Sequence, residues 1–138
     1  MKSIFYPVIV LTLWTLLVQI AIAFARFRAG ARRQIQVEDF KYGESPAVPP
    51  DVCIPNRNYM NLLEAPMLFY VACLVLFVTA GVTHVAVVLA WLYVALRIVH
   101  SIIHLTYNHV VHRLTAFAIS NGMLAVLWLL IGVHLASA

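Results

Sequence analysis

The segment LYVALRIVHSIIHLTY, residues 92–107, is apolar enough to lie in lipid, yet it carries Arg97, His100, Ser101 and His104. Their spacing of three, one and three residues places all four on one face of a helix. An arginine well inside a membrane span costs at least ~2.5 kcal/mol on insertion scales, so its side chain must face a bundle interior, a cavity or a partner charge. The stripe is therefore the first candidate for a working site.

The remainder of the chain supports a membrane reading. Hydrophobic residues make up 64% of the sequence and charged residues 10%, and the mean hydropathy is +0.94. Roughly half of a soluble domain is apolar, so this composition lies outside the globular range. The 138 residues are read as one domain, 1–138, an all-α integral membrane protein. That length accommodates four spans of ~20 residues and one substantial loop.

The first span is read over about residues 4–26, with no charge from Ile4 to Ala25 and the basic cluster Arg26, Arg28, Arg32, Arg33 behind it. A cleaved signal peptide is the competing reading, because Lys2 precedes the run and Ala21-Ile22-Ala23 resembles a cleavage site. The run is too long for an h-region of ~7–15 residues, and the arginines after it are the kind that retain a span. Further spans are read over about 58–80, 84–107 and 113–136, separated by Gly81 and by the polar turn Asn108 to His112. Short turns make successive spans antiparallel neighbours, which predicts a four-helix bundle.

Of the nine basic residues, Arg26, Arg28, Arg32, Arg33, Lys41 and Arg57 fall in or beside the loop between spans one and two, and Arg113 flanks the other turn on that side. Lys2 is alone on the opposite side. By the positive-inside rule both loops are expected in the cytoplasm and both termini outside. The net charge of +4 is thus a topology signal. Without a basic, aromatic-interleaved stripe in a soluble region, no nucleic-acid partner is expected.

The loop, about residues 27–56, mixes charges in its first half and carries Pro46, Pro49, Pro50 and Pro55 in its second. Prolines favour an extended path there. The plain reading is a surface connector; the sharper one is a lid over the mouth of the bundle, since loops of this length are often functional. Cys53 lies in the loop and Cys73 in span two, and both are read as free thiols without a role.

Span two has its own polar stripe. Arg57, Asn61 and Glu64 are four and three apart and share one helical face. Glu64 lies ~10 Å beyond Arg57, and Arg97 lies ~15 Å short of its own end of span three, at the helical rise of 1.5 Å per residue. The two stripes fall at similar depth, so Glu64 and Arg97 are expected to offset each other's charge.

The run Arg57-Asn58-Tyr59-Met60-Asn61-Leu62-Leu63-Glu64-Ala65-Pro66, then Arg97-Ile98-Val99-His100-Ser101 and later Arg113, resembles the MAPEG family, the membrane-associated proteins in eicosanoid and glutathione metabolism. The resemblance covers the whole chain and is to bacterial members. It implies a homotrimer of four-helix protomers, in a bacterial inner membrane, binding glutathione between neighbouring subunits on the cytoplasmic half. By motif, Arg57, Asn61 and Glu64 correspond to positions that hold the tripeptide, Arg97 and His100 to span-three positions facing the same pocket, and Arg113 to the arginine that activates the thiol. His104 stands where the family's eicosanoid-synthesising members carry a tyrosine, and is taken as a further contact able to donate a hydrogen bond. Glutathione has two carboxylates and one ammonium, for which arginine forks and a glutamate are matching groups.

Two departures limit what carries over. His104 replaces that tyrosine, and Leu114 stands where one such member has a serine after the catalytic arginine. Eicosanoid synthesis is therefore not implied. What remains is glutathione-dependent transfer to a lipophilic electrophile, or reduction of a lipid hydroperoxide. A non-catalytic lipid-binding role on the same fold is the alternative. A metal or haem site is a third reading, from His100, His104, His109 and His112, but no Cys or carboxylate lies near them and spans one and two offer no facing histidine; no metal is expected. His84 and His134 read as interfacial residues, Asn121 as an interhelical hydrogen-bond partner, and Trp14, Trp91 and Trp128 as packing residues.

Overall fold

In hydrocarbon a backbone can satisfy its polar groups only within itself, and long apolar runs therefore become helices. A computed structural model, describing residues 1–137, shows four: α1 (Phe5–Ala31), α2 (Pro50–Val78), α3 (His84–Leu105) and α4 (Val110–Ala136). All four are long and apolar enough to cross a membrane. There is no β-strand among the described residues. The chain is an all-α, four-helix integral membrane protein.

The helices pack as a rhombus. α1 lies against α2 and α3, α4 lies against α2 and α3, and α2 touches α3 across the short diagonal, whereas α1 and α4 do not meet among the described residues. All four contribute to one core that includes Leu11, Val18, Leu62, Phe69, Tyr93 and Leu127. At its centre the Phe69 and Tyr93 rings stack with centroids 4.6 Å apart. Central α3 buries the largest share of its span and α1 the smallest. The outward faces carry Leu13, Leu17, Phe24, Leu74 and Leu129, as a lipid-facing surface requires.

The loop departs most from expectation. Its last residues, from Pro50 on, are helical, because Pro49 caps α2 and Pro50 occupies the first helical position, where a missing N–H has no partner to lose. Pro55 falls a turn later, still near the end, and Pro66 is accommodated inside the span. α1 also runs past Arg26 and Arg28 to Ala31 before Arg33 takes a left-handed φ of 57°. The connection between α1 and α2 therefore shortens to residues 32–49. It is folded: Ala29, Val48, Val52 and Cys53 form a second small core with Ile35 and Phe40 against it. Asp39 organises the path, accepting from the Gln36 N–H at 2.8 Å and the Ser45 hydroxyl at 2.9 Å. Those two donors hold its carboxyl below the ordinary value. α4 also begins earlier than the pattern suggested, at Val110, behind His109, whose ring accepts the His112 N–H.

At the opposite end, α2 closes with Ala80 in the left-handed region at φ 55° and the Gly81 N–H bonded to the Leu76 carbonyl at 2.8 Å. Glycine would suit the Ala80 position better, but Gly81 is needed one residue later for space. A Cβ there would lie 2.5 Å from His134 Cδ2. The His134 ring donates from Nε2 to the Thr79 carbonyl at 3.0 Å and so ties the end of α4 to this turn. His134 is thus a structural fastening. Gly81→Ala is expected to destabilise by about 1–3 kcal/mol, the usual cost of overpacking. Thermal unfolding in detergent should show that penalty shrinking when Gly81→Ala is placed in a His134→Ala background.

Candidate functional site

The buried face of α3 carries Tyr93, Arg97, His100, Ser101 and His104. Arg97 is 0% exposed. Its Nε–H donates to the Tyr93 hydroxyl at 3.1 Å, and an Nη2–H donates to Asn121 Oδ1 on α4 at 2.7 Å. The guanidinium carbon sits 4.9 Å from the centre of the Phe117 ring and 5.3 Å from that of Tyr93. Its Nη1 is buried without a partner. The cation is thus held by oriented dipoles and ring faces. Asn121 is the interhelical partner its position suggested.

The expected Glu64–Arg97 pairing does not form in the protomer. Arg26–Glu44, at 3.2 Å in the loop, is the only ion pair among the described residues. The reason is rotational. The inward face of α2 runs through Asn58, Leu62, Pro66, Phe69, Cys73 and Leu76. Arg57, Asn61 and Glu64 precede that row and are turned about 100° away from it per residue, so Arg57 and Glu64 are exposed and Asn61 is half-buried.

Asn58 takes the inward role instead. Its Nδ2 donates to Ser101 Oγ at 2.5 Å, and Trp14 Nε1–H donates to the same oxygen at 2.8 Å. Ser101 thereby joins α1, α2 and α3 through one acceptor. Sequence reasoning missed Asn58 and Tyr93. The register of the apolar residues in α2 held the signal for Asn58, since Leu62, Phe69, Cys73 and Leu76 continue its row. The four-residue step from Tyr93 to Arg97 held the signal for Tyr93.

At the loop-side end of the bundle, His100 and His104 lie in the last turns of α3, Arg113 in the first turn of α4 and Arg57 near the start of α2. The His100 and His104 rings stand edge to face, 5.9 Å apart, and each has a buried Nδ1 without a partner. Arg113, half-buried, is aimed by Nη1 donating to Asn108 Oδ1 at 2.6 Å. Asn108 can offer that oxygen because it takes the left-handed φ of 48° that ends α3. The structure thus brings Arg97, His100 and His104 together on the buried face of α3 with Arg113 at the same end, and leaves Arg57, Asn61 and Glu64 on the adjoining outer face of α2. Leu114 points outward. No group of three or more His, Cys, Asp or Glu able to hold a metal is present among the described residues.

A four-helix membrane bundle with an arginine and two histidines buried on the inner face of α3 and a further arginine at the start of α4 defines the class of protein. The MAPEG family model matches residues 4–133, and the chain belongs to that family. Searches of curated proteins and of solved structures returned no significant match.

Removing the amide that faces the buried cation tests the arrangement. Asn121→Leu is expected to cost about 1.5–3 kcal/mol, the range for a hydrogen bond to a charged group. The loss should appear as a lower melting temperature in detergent, with little change from Asn61→Leu on the outer face.

Proposed function

We propose that the protein is a membrane-embedded, glutathione-dependent transferase or peroxidase acting on a lipophilic electrophile or lipid hydroperoxide. The observation that carries this reading is the placing of His104 and Arg113 at the loop-side end in a chain of this family, with His100 and Arg97 deeper on the same face of α3 and Arg57 exposed on α2 at that end. Arginines there match the two carboxylates of glutathione, and Glu64 matches its ammonium. Unpartnered buried nitrogens on Arg97, His100 and His104 offer further polar contacts.

Arg113 is assigned to the thiol. An ordinary thiol ionises near ~8.5, and only a small fraction is thiolate at neutral pH. A fixed cation where water is partly excluded favours the charged form, and a two-unit drop corresponds to ~2.7 kcal/mol. The thiolate then forms a carbon–sulfur bond with the electrophilic carbon as the leaving group departs with its electron pair; with a hydroperoxide it attacks the terminal oxygen, the O–O bond breaks, the lipid leaves as an alcohol, and the glutathione sulfenic acid condenses with a second glutathione to give the disulfide and water.

Arg57 and Glu64 are exposed on the outer face of α2. Bare charge on a lipid-facing surface is costly, and a neighbouring protomer covering that face would remove it from lipid and complete a pocket reached by both stripes. The assembly is therefore assigned as a homotrimer, the number coming from the family. The loop between α1 and α2 is assigned to the cytoplasm and both termini to the other side, by the arginine bias and in a bacterial inner membrane.

Adding glutathione to purified protein should produce thiolate absorbance, and its absence favours the non-catalytic lipid-binding role. Arg57→Ala should weaken glutathione by roughly 2–5 kcal/mol in calorimetry, the range for removing one partner of a buried charged pair. Arg113→Lys separates the catalytic role from simple interface anchoring. The expected result is retained glutathione binding with most turnover lost against a hydrophobic electrophile. Full turnover in Arg113→Lys returns the residue to anchoring. Mass measurement in nanodiscs should give three chains, and a glutathione-binding monomer overturns the shared pocket.

A further inference from the structure

Away from those residues, the last turns of α1 and the folded loop form a groove of about 450 Å³ lined by Phe27, Gly30, Ala31, Ile35, Val37 and Phe40, with Arg26 and Gln36 beside them. Such a volume is in the range of small-molecule sites, ~300–1,000 Å³. The groove lies just beyond the apolar run that ends at Ala25, at the depth where a span gives way to headgroups. Phe27 and Val37 at its edge are 78% and 85% exposed although the loop is folded. Apolar side chains turned outward at that depth suit an amphipathic occupant rather than water.

The polar end of the groove carries one guanidinium, that of Arg26. Arg26 lies over Phe40, 4.4 Å from its ring centre, and gives one Nη2–H to Glu44 at 3.2 Å. Its Nε is buried and has no partner. On the other side of α1, Arg28 and Arg32 line a polar hollow of about 250 Å³ with Gln34 and Asp51. Arginines thus flank the helix end on both sides, and a basic juxtamembrane cluster attracts anionic lipid.

We propose that this groove binds one anionic phospholipid of the surrounding leaflet, with an acyl chain along the Phe27–Phe40 wall and the phosphate at Arg26. The Arg26 side chain is 35% exposed, so its guanidinium can donate to a phosphate oxygen, and Phe40 fixes the guanidinium plane. The site needs nothing from the glutathione reading and stands or falls separately.

The test is native mass spectrometry of the delipidated full-length protein titrated with phosphatidylglycerol or phosphatidylcholine. The expected result is one phosphatidylglycerol per chain, bound at least tenfold more tightly than phosphatidylcholine. Arg26→Gln and Arg26→Lys should both reduce that preference, the lysine because it keeps charge but lacks the planar guanidinium that rests on Phe40. Gly30→Leu should abolish tight binding of either lipid, since a Cβ at Gly30 meets open space within the groove. Gly132→Leu, on the far part of α4 and equally free of clash, should bind as the unaltered chain does. Helicity by circular dichroism verifies each fold, with Ala31→Leu replacing Gly30→Leu if the latter misfolds. Unchanged phosphatidylglycerol binding in a folded groove-filled variant overturns the proposal, as does equal binding of the two phospholipids. Palmitate binding as tightly as phosphatidylglycerol overturns the phospholipid assignment. Dissociation of an oligomer by Gly30→Leu with lipid binding intact gives the groove to a second copy and overturns it too.

Discussion

One guanidinium governs the interior. Arg97 is fully buried in a low-dielectric bundle with no carboxylate against it in the protomer. A buried ion pair must overcome the desolvation of two charges, whereas here only one is present and its field is met by dipoles and ring faces. Tyr93, Asn121 and Phe117 are each placed by that requirement. The stacking of Phe69 on Tyr93 then transmits the placement to α2. The register of three helices follows from how one cation is accommodated.

Much of this was legible in the sequence, for identifiable reasons. Uncharged runs bounded by arginines announce spans because bilayer thickness fixes their length. The one-sided spacing of Arg97, His100, Ser101 and His104 placed them inward, since only an interior face tolerates them. The α2 stripe misled because a shared face does not say which way that face points. Arg57, Asn61 and Glu64 do share a face, but the apolar row led by Asn58 occupies the interior. Matching depth is necessary for a charge pair and does not supply the rotation that brings the pair together.

The loop teaches a complementary point. Proline count alone suggested an extended segment, yet position within a helix decides what proline does. Pro50 at the first helical position loses no hydrogen bond, and the fixed φ of proline is already helical. The ordering of residues 32–49 came from non-local contacts, with Val48 and Phe40 brought to Ala29 and Cys53 by the turn around Asp39. No periodicity in so short a segment encodes such contacts. The Asn108–Arg113 bond was hidden in the same way, since it depends on a left-handed residue at the helix end.

The absence of contact between α1 and α4 bears on how the protein assembles. The chain divides into two hairpins, α1–α2 and α3–α4, and every hydrogen-bonding and aromatic partner of Arg97 belongs to the second. The hydrogen bonds and ring contacts of Arg97 therefore lie within that hairpin and do not depend on the docking of the first. Docking then has a checkpoint of its own. Trp14 and Asn58 arrive on the first hairpin as donors, and Ser101 on the second accepts from both. A slip of one turn would strand both donors in hydrocarbon, where each unsatisfied group costs several kcal/mol. A single hydroxyl oxygen thus discriminates the correct docking of the halves from its neighbours in register.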